Sequence, residues 1–187
     1  MTIFLILAPY AAFAMLMLVT SAALSLFVAA GICMAVIVHD ALAGRSIKML
    51  PAGSATLFAA LGTYLGLVDS SWSGTEVKLA VDLGMLAISL GSMLIGRPFT
   101  LQYAIEAVDA QTARLPGFVR ANYVITWAWS LAFVLMATAN LLLMYLPGLP
   151  LWSGIAIAFA ARYSALYFTK WYPEYRRSNL PAPTARV

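Results

Sequence analysis

The chain has 187 residues, 63% of them hydrophobic and 10% charged, and a mean hydropathy of +0.90. A soluble domain carries roughly 45–50% apolar and about 25% charged residues, so water is the wrong solvent for this surface and hydrocarbon the right one. The net charge of +4 comes from basic residues set between apolar runs, which signals membrane topology rather than nucleic-acid binding.

Apolar runs able to cross a hydrocarbon core need roughly 17–25 residues. They fall near 2–19, 22–38, 51–68, 79–95, 123–146 and 151–171, which predicts an all-α polytopic bundle of about six transmembrane helices. The first run is short, contains Pro9 and meets the second almost without a loop, so it is also readable as a tilted or re-entrant hairpin arm. No Lys or Arg precedes it, as a signal peptide would require, so it is read as part of the protein. His39-Asp40 and the stretch from Gly44 to Lys48 end the second span. Ser73 with Glu76 three residues on is a capping-box pattern opening the fourth helix.

Between the fourth and fifth spans, Pro98 suits the first turn of a helix. Leu101, Ala104, Ile105 and Val108 then share one face, and Gln102, Glu106 and Asp109 another. That spacing predicts a short amphipathic helix lying on the membrane surface, with a polar loop as the alternative. Pro147-Gly148-Leu149-Pro150 reads as a turn. Residues 1–172 form the expected transmembrane domain. Residues 173–187, rich in Pro and basic side chains, are expected to be an extended cytoplasmic tail.

With six spans, Arg45, Lys48, Arg97, Arg114, Arg120, Lys170, Arg176, Arg177 and Arg186 share one side, and only Lys78 lies on the other. The positive-inside rule puts the first group, and both termini, in the cytoplasm. Trp72, Tyr145 and Trp152 would then mark the outer interface, and Trp171, Tyr172 and Tyr175 the inner one.

Small and polar residues recur at helical spacing in the third to sixth spans, where such stripes let transmembrane helices approach and hydrogen-bond. They include Gly62 and Gly66, then Asp82, Ser89 and Ser92, then Asn122, Thr126, Ser130 and Asn140. Arg162 is the outlier. It lies about 11 residues, hence ~16 Å, below the outer end of its helix. An arginine there costs roughly 2.5–3.5 kcal/mol on the mildest scale, so it should face inward. Asp82 and Asn140 are its candidate partners. One reading is an Arg162–Asp82 pair that fixes helix register. The other is an intramembrane polar site of Asp82, Asn140 and Arg162, flanked by Ser89, Ser130 and Thr126, for a polar or anionic group such as a lipid phosphate.

His39 and Asp40, with Arg97, are candidates at the cytoplasmic interface, either as a proton-handling pair or as a solvated helix end. With one His and one Cys there is no zinc pair, Cys–His set or disulfide, and no Gly-x-Ser-x-Gly elbow or Gly-rich phosphate loop occurs. No enzyme activity, metal or cofactor is expected.

Several short motifs together resemble the bacterial intracellular septation protein A family of small inner-membrane proteins. They are Phe4-Leu5 before Pro9, Gly96-Arg97-Pro98, Leu115-Pro116 with Phe118, Arg120-Ala121-Asn122, Thr126-Trp127-Ala128-Trp129 with Phe133, and Ala139-Asn140 before the Pro147 turn. The likeness covers chiefly residues 79–150. Phe118 stands where the family pattern has tryptophan, and Phe99 to Tyr103 departs from it. The resemblance implies a non-enzymatic multi-pass protein of the bacterial plasma membrane. Its role would lie in septation, envelope integrity or lipid balance, and its partners would be membrane lipids or other envelope and cell-division proteins. The polar stripes allow two other functions, a small transporter or lipid-translocating protein around Arg162, and a lipid enzyme using His39 and Asp40.

Overall fold

The computed structural model describes residues 2–146 and 148–179. The described residues are helical throughout, with no strand. The helices are α1 (Thr2–Leu16), α2 (Ala22–Leu42), α3 (Met49–Leu67), α4 (Gly74–Leu94), α5 (Phe99–Ala104), α6 (Ala110–Ala113), α7 (Pro116–Tyr145) and α8 (Leu151–Asn179), with a 3₁₀ turn, Ile105–Ala107, after α5. Each expected span coincides with one long helix. Four of them, α2, α3, α4 and α7, are long and apolar enough to cross a membrane. With 15 residues, α1 is short for a full crossing, and Arg162 and a polar last third dilute the apolar character of α8.

The ends are set by local chemistry. Ser73 accepts from the Glu76 amide and Glu76 accepts from the Ser73 amide, so the capping box opens α4 as the sequence predicts. α2 and α4 both stop at a glycine with positive φ, Gly44 at 67° and Gly96 at 74°. At each, two reversed hydrogen bonds close the last turn. Arg45 N–H donates to Asp40 O and Gly44 N–H to Ala41 O, while Arg97 N–H donates to Ser92 O and Gly96 N–H to Met93 O. This left-handed closure is one that L side chains resist and glycine does not.

The long helices pack in sequence order: α1 on α2, α2 on α3, α3 on α4, α4 on α7 and α7 on α8. Gly62 lets α3 approach α2, since a Cβ there would stand 3.3 Å from the Phe27 ring. Phe58 on α3 stacks on Phe13 and tilts against Tyr10, both on α1. The outside of the bundle is apolar: Phe159 is 73% exposed and Leu131 59%, whereas Ser89, Thr126 and Ser130 are buried. Water would invert that distribution, and lipid chains favour it.

Two expectations are corrected. The segment after Pro98 is not one continuous amphipathic helix carrying Leu101, Ala104, Ile105 and Val108 on a single face. It is α5, the 3₁₀ turn and α6 in succession, and Ile105 is exposed. Phe99 is the buried anchor, its amide capped by Ser92 Oγ at 3.0 Å, and the polar Gln102 and Glu106 face the α2–α3 loop. Nor does an extended tail begin at residue 173. α8 continues through Pro173 to Asn179, and Arg176 donates to the carbonyl of Gly117 in the first turn of α7. Pro147, Arg186 and the rest of the tail lie outside the described residues.

Candidate functional site

The polar residues that the sequence singles out separate into three places. Ser89 and Ser130 are hydrogen-bonded to each other at 2.8 Å across the α4–α7 contact. Below them, Thr126 shares a bond with Thr100 at 2.7 Å, and Thr100 also donates to the Asn122 carbonyl. Every hydroxyl in this seam is satisfied within it, so Ser89, Ser130 and Thr126 lock α4, α5 and α7 together and leave nothing for a ligand.

The second place is the end of the bundle where α2 meets α3. Asp40 is buried, and its two oxygens take Arg45 Nη1 at 3.2 Å and Lys48 Nζ at 2.8 Å. Lys48 Nζ also lies 3.1 Å from Glu106 Oε1 and sits over the Tyr103 ring, 5.3 Å from its centroid. His39 Nδ1 stands 3.6 Å from Asp40, with its ring half exposed. Arg97 is exposed, and only its backbone is tied in, the carbonyl accepting from Gln102 Nε2 at 2.9 Å. Gln102 Oε1 in turn accepts the Met49 amide at 2.7 Å, one of the N–H groups that the first turn of α3 leaves unpaired. Lys48, Tyr103 and Glu106 are the residues missed here.

The third place lies inside the bundle. Asn140 Nδ2 donates to Asp82 Oδ2 at 2.9 Å. Both residues line up with Arg162 as expected, but the direct Arg162–Asp82 pair does not form. Among the described residues Arg162 makes no hydrogen bond and no ion pair within 4.0 Å. The two charges instead share the wall of a cavity of about 40 Å³, completed by Tyr10, Leu50, Val81, Met85, Phe99, Trp129 and Phe133. Five of the six long helices and α5 therefore converge on it. Trp129 is held by its own bond to Thr169 at 3.0 Å, and its ring meets Phe99 and Phe133.

Tyr10 was also missed. Its hydroxyl is bonded to Ser54, which donates to the Leu50 carbonyl. On the other side of Tyr10 lies a second, smaller cavity of about 10 Å³, bounded by Pro9, Tyr10, Cys33, Val36, Leu50, Pro51 and Tyr103. The Tyr103 hydroxyl is buried without a hydrogen-bond partner among the described residues, and burial pushes its acidity well down, so it stays a neutral phenol. Family models, curated proteins and solved structures contain no match to this chain.

Proposed function

We propose that the chain is a non-enzymatic multi-pass protein of a bacterial inner membrane, with about six spans and both termini in the cytoplasm. It acts in envelope integrity, septation or lipid balance by holding a lipid headgroup at the Asp82–Asn140–Arg162 site. The observation that carries this is the unpaired guanidinium of Arg162 in the wall of a cavity whose opposite charge, Asp82, is occupied by Asn140. A half-buried guanidinium without a hydrogen-bond partner favours a planar oxyanion, and phosphate supplies one. The carboxylate across the cavity selects among phosphates. It repels a purely anionic headgroup and attracts one that also carries an ammonium, so phosphatidylethanolamine fits better than phosphatidylglycerol. Most of the motifs resembling the septation protein A family lie on α7, which carries Asn140.

The test is native mass spectrometry of the detergent-purified protein titrated with the two lipids. Phosphatidylethanolamine is expected to be retained in preference to phosphatidylglycerol. Retention should fall about tenfold or more in Arg162→Leu, the scale of one or two charge-assisted hydrogen bonds. Equal retention by wild type and variant removes the proposal.

A lipid-translocating protein is the second reading, and the depth of the site favours it. Asp82 is about eight residues, ~12 Å, inside the end of α4, and Arg162 ~16 Å inside the end of α8, so a headgroup bound there would be in transit. Movement of labelled lipid between leaflets of reconstituted vesicles, lost in Arg162→Leu, separates this reading from static binding.

A further inference from the structure

Tyr10, Tyr103 and the Lys48 cluster, which the lipid reading leaves unused, connect to its site through shared cavity walls. Asp82 and Arg162 stand in the wall of the larger cavity, and Tyr10 and Leu50 stand in that same wall. Tyr10 and Leu50 also bound the smaller cavity, whose far wall is Tyr103. Tyr103 lies under Lys48, which joins Asp40 and Glu106 at the end of the bundle. Tyr10 is thus the partition between two spaces, with a hydroxyl that already exchanges a hydrogen bond with Ser54.

The two gaps on either side of Tyr10 have room and polar groups for water. A site needs roughly 10–15 Å³ to hold one water molecule, together with two or more polar partners. The larger cavity meets both conditions through Asp82, Arg162 and Tyr10, and the smaller one is of single-water size with Tyr10, Cys33 and Tyr103 around it. The buried Tyr103 hydroxyl, which has no protein partner among the described residues, needs such a water.

We infer that Tyr10 and Tyr103, with water in the two cavities, form a proton path that connects Asp82 to the face of the bundle bearing Asp40, Lys48 and Glu106. A proton enters beside Glu106 and Asp40, and each water or tyrosine hydroxyl accepts it on a lone pair while releasing its own proton to the next. Only O–H bonds are made and broken, each hydroxyl ends as neutral as it began, and the carboxylate of Asp82 becomes the acid. The groups around Asp82 that set this equilibrium are Arg162 on α8, Lys78 on α4, the Asn140 amide on α7 and the Tyr10 hydroxyl on α1. α3 and α5 present only Leu50 and Phe99 to the cavity. This goes beyond the lipid reading, since it uses Asp82 but needs no bound headgroup.

The experiment is infrared difference spectroscopy of the full chain in oriented proteoliposomes after a pH jump on the face bearing Lys48. The Asp82 signal is assigned by its loss in Asp82→Asn. In the wild type the carboxyl signal should follow the jump promptly. Tyr10→Phe and Tyr103→Phe, which keep ring and volume, should each slow it about tenfold. Thr56→Ala, on the exposed side of α3, should match the wild type. A response as fast as wild type in either tyrosine variant overturns the path, as does an Asp82 signal that ignores pH on that face. Tyr103 lies outside the lipid site, so Tyr103→Phe retaining phosphatidylethanolamine normally while responding slowly distinguishes failure of this path from failure of lipid binding.

Discussion

Around Lys48 every charge has its opposite. The ammonium, 2% exposed, lies between two carboxylates, and the nearer carboxylate has a second cation in Arg45. Around Arg162 the guanidinium lines a cavity, and the carboxylate that the sequence reading paired with it, Asp82, is hydrogen-bonded by an amide. Both cations cost free energy to hold away from water. The first arrangement recovers that cost through close ion pairs that tie the α2–α3 loop to the turn after α5, whereas Arg162 has only the attraction of Asp82 across the cavity. This difference sets the structural knot at Lys48 apart from the candidate site at Arg162.

The comparison breaks or sharpens with substitutions at the two places. Lys48→Met leaves Asp40 and Glu106 facing each other without the ammonium. The loss is expected near 3 kcal/mol, the low end for a broken buried pair because Glu106 is partly exposed. It would be read as a drop in unfolding midpoint in detergent, and Lys48→Met with Asp40→Asn and Glu106→Gln should recover most of it. Gly62→Leu drives a side chain into the Phe27 ring at the α2–α3 contact and should cost roughly 1–3 kcal/mol in the same assay. Ser130→Ala removes one bond of the α4–α7 seam and should cost about 0.6 kcal/mol, the average for interhelical hydrogen bonds in a membrane protein. Arg162→Leu removes the cation that faces Asp82 across the cavity but no hydrogen bond or close ion pair, so it should lower lipid-free stability clearly less than Lys48→Met does. If Arg162→Leu unfolds the protein as Lys48→Met does, the distinction between the two regions fails.

Much of the architecture was legible because apolar runs and their punctuation are local. The capping box at Ser73 and the glycines after α2 and α4 fixed those ends to within a few residues. The start of α7 was set too late, because Arg120 and Asn122 interrupt the apolar run although Pro116 already marks the first turn. The end of α8 was set too early at Pro173. There the helix is carried onward by stacked aromatic pairs, Phe168 with Tyr172 and Trp171 with Tyr175, and by Arg176 reaching across to α7. The depths of Asp82, Asn140 and Arg162 were legible, but the sequence reading paired Arg162 with Asp82, whereas the structure hydrogen-bonds Asp82 to Asn140. Lys48, Tyr103 and Tyr10 were not legible, because their roles depend on α1, α2, α3 and α5 meeting in three dimensions. Periodicity along one helix carries no information about that meeting.

The most direct test of the claim that Arg162 is a ligand-binding residue is the unfolding midpoint with and without phosphatidylethanolamine. A ligand that binds only the folded state raises stability by RT ln(1 + [L]/Kd), about 2.7 kcal/mol at a hundredfold excess over Kd. The wild type should gain in midpoint as the lipid is added, and Arg162→Leu should not. Equal gains in the two proteins would contradict the account.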